Sequence, residues 1–193
     1  MPQRTRCLRR CGAQTDLSMP PKVFSASLLL AVSAALAAQD TALPTNPLLS
    51  LNEHAPSLAL PGDGWTLHQM QLNRSKTGIY YLLSNGQHKL YLSTYIEKTD
   101  ACKIAEDCLE LSFKNDSYRA AEGRFNFESG QFKAASFFID RPQGLPIKQT
   151  HVLASAYFSG FWIDIHISAA GPERPSIEPL QSVLASMSVR SSP

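Results

Sequence analysis

Residues 150–168, THVLASAYFSGFWIDIHIS, restrict the fold more than any other stretch. Two alternating runs meet at Ser159-Gly160, a pair that closes a two-residue hairpin loop. With that loop, Val152, Ala154, Ala156 and Phe158 face Ile167, Ile165, Ile163 and Phe161 on one side of the ribbon. His151, Leu153, Ser155 and Tyr157 face Ser168, His166, Asp164 and Trp162 on the other. Six of the eight inward side chains are large, and their burial contributes about 9–18 kcal/mol gross. A two-stranded ribbon cannot bury such a face by itself, so the remainder of the chain must cover it.

The 193 residues fit one domain behind a removable leader. Residues 23–37, VFSASLLLAVSAALA, form a short apolar core after basic residues and end in Ala35-Leu36-Ala37. That is the pattern of a signal peptide over residues 1–37, cleaved after Ala37; the run is too short to span a membrane. Met19, followed by Pro20-Pro21-Lys22, offers a second start. Residues 38–47 read as a linker and 48–193 as the domain. The leader holds five of the 18 Lys and Arg and one of the 16 Asp and Glu, so the exported part has 13 basic and 15 acidic residues. That balance lacks the basic patch of a nucleic-acid binder. Cys7 and Cys11 leave with the leader, and Cys102 and Cys108 remain as a pair for an oxidising, periplasmic or extracellular setting. Six steps along an intact helix rise about 9 Å, beyond disulfide reach, so a bond requires Cys102 to precede the helix or the first turn to be distorted.

Along the exported part, residues 48–60 hold short extended pieces, Pro61-Gly62-Asp63-Gly64 a turn, and residues 65–73 a strand. Asn85-Gly86 is a strong hairpin signal between runs at 78–85 and 88–98. A two-residue loop aligns Ile79, Tyr81 and Leu83 with Leu92, Leu90 and His88, whereas a three-residue loop swaps the faces; the residues alone leave both open. Thr99 or Asp100 caps an expected helix over 101–113, with Ile104, Ala105, Cys108, Leu109 and Leu111 at helical spacing, closed by polar Lys114-Asn115-Asp116-Ser117. Runs at 122–128 and 131–140 pair around Ser129-Gly130. After the 150–168 hairpin, Ser176 caps a last helix over 177–190 with a stripe of Ile177, Leu180, Val183, Leu184 and Met187. The expected fold is α+β: an antiparallel sheet of hairpins flanked by two main helices, both capping the apolar hairpin face.

His151, Asp164 and His166 share the outer hairpin face, where they could approach one metal ion or form an acid–base pair. Leu153, Tyr157 and Trp162 join them, either as core beneath a helix or as a partner surface. Tyr80, Tyr81, Tyr91 and Tyr95 cluster in the Asn-Gly hairpin. No stretch combines nucleophile, base and oxyanion donor, and no cofactor or metal motif is present.

Pro61-Gly62-Asp63-Gly64-Trp65 opening the sheet, the mid-chain helix, Phe-Trp-Ile-Asp-Ile-His-Ile-Ser at 161–168 and the closing helix resemble a group of small exported bacterial proteins of unassigned activity. The order of elements is also similar to the PsbP-like α/β/α sandwich, and the resemblance implies non-catalytic accessory or binding work. The expectation is therefore an envelope binding protein, monomeric or weakly dimeric, whose partner is an envelope protein or a small ligand. Its candidate face is His151, Tyr157, Trp162, Asp164 and His166. The alternative is a small metal-dependent or hydrolytic enzyme centred on His151, Asp164 and His166.

Overall fold

The computed structural model describes residues 40–191; the expected leader, with Cys7 and Cys11, lies outside them. The centre of the molecule is the hairpin of β9 (Lys148–Phe158) and β10 (Phe161–Gly171). Its register is the one the alternation dictates, with Phe158 opposite Phe161, Ile163 opposite Ala156 and Ile167 opposite Val152. Ser159 and Gly160 both have positive φ, 51° and 83°, the backbone of a primed two-residue turn that matches strand twist.

Six strands extend this hairpin into an antiparallel sheet of eight. On one side lie β8 (Phe132–Asp140) and the edge strand β7 (Glu122–Ser129). On the other are β6 (Leu90–Lys98), β5 (Gly78–Asn85), β4 (Trp65–Leu72) and β1 (Thr41–Ala42). The last of these falls in the stretch read as a linker. A second sheet of three strands joins β2 (Leu48–Ser50), β3 (Ser57–Ala59) and β11 (Ser188–Arg190).

The Asn85-Gly86 hairpin takes neither loop considered from sequence. Asn85 pairs with Leu90, leaving a four-residue loop, Gly86 to Lys89. The reason lies in Asn85: it is 1% exposed, and its Oδ1 accepts the N–H groups of Gln87 and His88. Its Nδ2 donates to the Asp63 carbonyl, so it ties two turns together from the end of a strand. The faces survive the change, because the shift is an even number of residues.

The helices also depart from expectation. Helix α1 spans Ala105–Phe113 and starts late because Cys102 and Cys108 are bonded, their Cα atoms 5.2 Å apart. Thr99 therefore turns the chain before the helix, its hydroxyl accepting the Ala101 N–H, and neither it nor Asp100 caps it. Helix α2 spans Glu178–Ala185 and stops short of 190. There Val189 pairs with Leu58 in the small sheet, and its N–H donates to Gln131 Oε1 at 2.7 Å.

The two helices lie on opposite faces of the large sheet, a correction to the expectation that both cap the apolar side. Leu180, Val183 and Leu184 of α2, with Leu49, Leu58 and Val189, bury Ile163, Ile165, Ile167 and Val152. Leu109 of α1 packs instead on Leu153, Ala135, Phe137 and Ile139, a second core on the outer face. Leu153 is core there, 0% exposed. The chain is thus an α+β fold with a mostly antiparallel sheet covered on both sides.

Candidate functional site

The outer sheet face beneath α1 is where polar residues sink into apolar surroundings. On β9 and β10, His151 and His166 are diagonal neighbours, and His151 Nδ1 lies 2.8 Å from His166 Nε2. The ring planes differ by 16° and the centroids are 5.1 Å apart, so the imidazoles lie edge to edge in nearly one plane. That is the direction in which a ring N–H and a ring lone pair point, so the contact is a well-aligned hydrogen bond. Phe137 stacks parallel on His151, with centroids 4.9 Å apart, and the Tyr118 ring stands edge-on to both His166 and Phe137.

Burial sets the charge state. It holds His151 down at about 4; burial and then the neighbouring His151 hold His166 at about 3. Both rings are neutral at physiological pH. The Tyr118 phenol is pushed above its ordinary range by burial and by the Asp164 carboxylate. His151 is 4% exposed, and its Nε2 has no hydrogen-bond partner among the described residues.

Over this pair opens a cleft of about 740 Å³, with His151, His166, Tyr118, Gln149 and Ser168 among its walls. Its rim is the loop carrying Arg141, Gln143 and Gly144, which have φ of 52°, 53° and 80°. Left-handed backbone at two non-glycine residues in one short loop is the kind of strain found at ligand clamps. A second hollow of about 350 Å³ adjoins it across the sheet, sharing Gln149, His166 and Ser168 and adding Tyr80, Leu82 and Tyr91.

The five residues read from sequence as one face divide into three groups. His151 and His166 form the cleft floor. Asp164 turns to α1, accepting a 2.8 Å hydrogen bond from Ser112, and burial pushes it up to about 6 against that bond. Tyr157 and Trp162 oppose one another near the hairpin tip, half-buried, with Trp162 Nε1 donating to Ser155 Oγ. Among the described residues no three His, Cys, Asp or Glu side chains converge as metal ligands. Tyr118 and the 141–145 rim were not singled out from sequence. Tyr118 follows the polar run taken as a helix end, and its role exists only once α1 folds onto β8 to β10.

No protein-family model and no curated protein matches the chain. Among solved structures, a protein from Bacteroides thetaiotaomicron VPI-5482 aligns with 70% of this chain at 13% identity and a TM-score of 0.41. The chain spans 45% of that protein's length. No described helix is long and apolar enough to cross a membrane.

Proposed function

We propose that this is an exported binding or accessory protein of the bacterial cell envelope that takes a small, uncharged, ring-bearing ligand into the outer-face cleft. One observation carries the reading: the hydrogen-bonded imidazole pair, neutral at physiological pH, lines a cleft of about 740 Å³ together with Tyr118, Gln149 and Ser168. Tyr118 and His166, both only half-buried, supply aromatic surface suited to a ring. Export is supported by the leader pattern and by the Cys102–Cys108 bond, a feature of oxidising compartments. We also read the two-sided cover of the sheet as the PsbP-like sandwich arrangement.

An acid–base or metal role for His151, Asp164 and His166 together fits less well, since the histidines bond each other while Asp164 bonds Ser112. Titration with phenol and with indole, followed by the imidazole carbon-bound proton signals, tests the binding reading. His151 and His166 signals are expected to shift while His54, 87% exposed at its side chain, stays fixed. Equal movement at His54, or none at the pair up to millimolar probe, would overturn it.

A further inference from the structure

At the opposite edge of the outer face, β5, β4 and the residue before β1 bring together a serine, a histidine and an aspartate. His68 Nε2 lies 2.7 Å from Ser84 Oγ, and His68 Nδ1 lies 2.7 Å from Asp40 Oδ1. This is the atom order of a nucleophile–base–acid chain, with the two ring nitrogens in distinct roles. From these contacts we propose that Ser84, His68 and Asp40 form an acyl-transfer site for small activated esters, distinct from the cleft over His151.

The backbone supports the arrangement. The β4–β5 ladder runs in register from Trp65 opposite Asn85 to Leu67 opposite Leu83, then resumes with Gln69 opposite Leu82. His68 is therefore the extra residue of a β-bulge, a device that re-aims a side chain and recurs beside active sites. Thr41 pairs with Leu67, so Asp40 precedes the ladder directly across from His68. Tyr91 lies opposite Ser84 and Leu82 is two residues along the same face. Both belong to the smaller hollow, which offers apolar surface to an acyl group.

The chemistry balances with an ester and water as the only reactants. Ser84 Oγ bonds to the carbonyl carbon while its proton passes to His68 Nε2. The carbon–alkoxide bond breaks, and His68 returns the proton to the leaving oxygen. Water then attacks the acyl-serine through the same base, releasing acid and restoring the hydroxyl. Asp40 acts as a positioning residue that holds the imidazole with Nε2 toward the serine. The His68 and Asp40 side chains are 27% and 64% exposed, so water weakens the electrostatics, and no oxyanion donor adjoins Ser84 among the described contacts. A donor of that kind is worth about 10²–10³ in rate. The substrate class is accordingly esters with good leaving groups and not amides.

The test is labelling of the full chain with an alkyl fluorophosphonate, in which the serine oxygen–phosphorus bond forms and fluoride leaves. Peptide mapping is expected to place one adduct on Ser84, absent in Ser84→Ala. His68→Ala should slow labelling by about 10²–10⁴ at unchanged melting temperature. Asp40→Asn should slow it too, with Asp40→Glu restoring the rate. No adduct on Ser84 of the unaltered chain, or equal labelling in His68→Ala, would overturn the proposal and identify the three residues as a polar cross-strand chain only.

Discussion

His151 Nδ1 and His166 Nε2 face each other at 2.8 Å across the central hairpin, with ring planes within 16°. A neutral pair needs one N–H and one lone pair at that contact, so one ring donates there and the other carries its N–H on its outer nitrogen. Protonating both would bury two like charges side by side, which the surroundings of Phe137 and Tyr118 oppose.

Acid should therefore loosen the fold by a counted number of protons. In the unfolded chain each histidine takes its proton near 6.5, but in the folded chain only at about 4 or 3. Stability is thus lost as pH falls below 6.5. Asp164 runs the other way, holding its proton up to about 6 when folded and near 3.8 when unfolded, so it gains stability on acidification through that window. Two groups against one leave a net slope of about 1.4 kcal/mol per pH unit between pH 6 and 4. Urea midpoints should fall across this range, more steeply in Asp164→Asn and less steeply in His166→Gln. Identical slopes in all three proteins would contradict the assignment.

Cys102 and Cys108 close a loop with a sequence separation of 6 at the start of α1. Replacing both with serine should cost about 2 kcal/mol. The loss should appear first as faster amide exchange in α1, with β9 and β10 protected. Unchanged stability with exchange spread evenly over the chain would argue against a local clasp.

Gly78 lies against the Tyr95 ring. A Cβ built there would meet Tyr95 Oη at 2.5 Å and Cζ at 2.8 Å. The ring cannot withdraw freely, because Asn73 Nδ2 donates to its hydroxyl at 2.9 Å. Gly78→Ala should destabilise by about 1–3 kcal/mol, and Tyr95→Leu in the same chain should recover part of that. Additive losses in the double variant would show that the cost arises elsewhere.

The turn at Ser159-Gly160 gives a further check on the hairpin. Gly160→Val, at φ of 83°, should destabilise by about 1–2 kcal/mol. Ser159→Asn should be neutral or better, since asparagine tolerates positive φ. Equal thermal melts for the two would be incompatible with this turn.

Much of this fold is legible in residues close together in the chain. The alternation on either side of Ser159-Gly160 specifies two faces and a register, and Ile163, Ile165 and Ile167 are each 0% exposed. The spacing of Cys102 and Cys108 required either a late helix start or a distorted first turn, and the structure takes the late start. The site was less legible. His151 and His166 can be placed on one face by parity, but their selection over Tyr157, Trp162 and Asp164 cannot.

What the sequence determined by itself was set by strand and helix periods: which side chains share a face, the tight turn at Ser159-Gly160, and helix within 101–113 and 177–190. The tertiary structure alone decided which face each helix covers, why Asn85 holds a longer loop and why residues 188–190 are a strand. It also decided how residues 28 and 16 positions apart meet at His68. The physical reason is common to all of these. Periodicity records how one segment meets oil or water, whereas the choice between two apolar faces, or between two polar partners, depends on groups that only chain closure brings within hydrogen-bond distance.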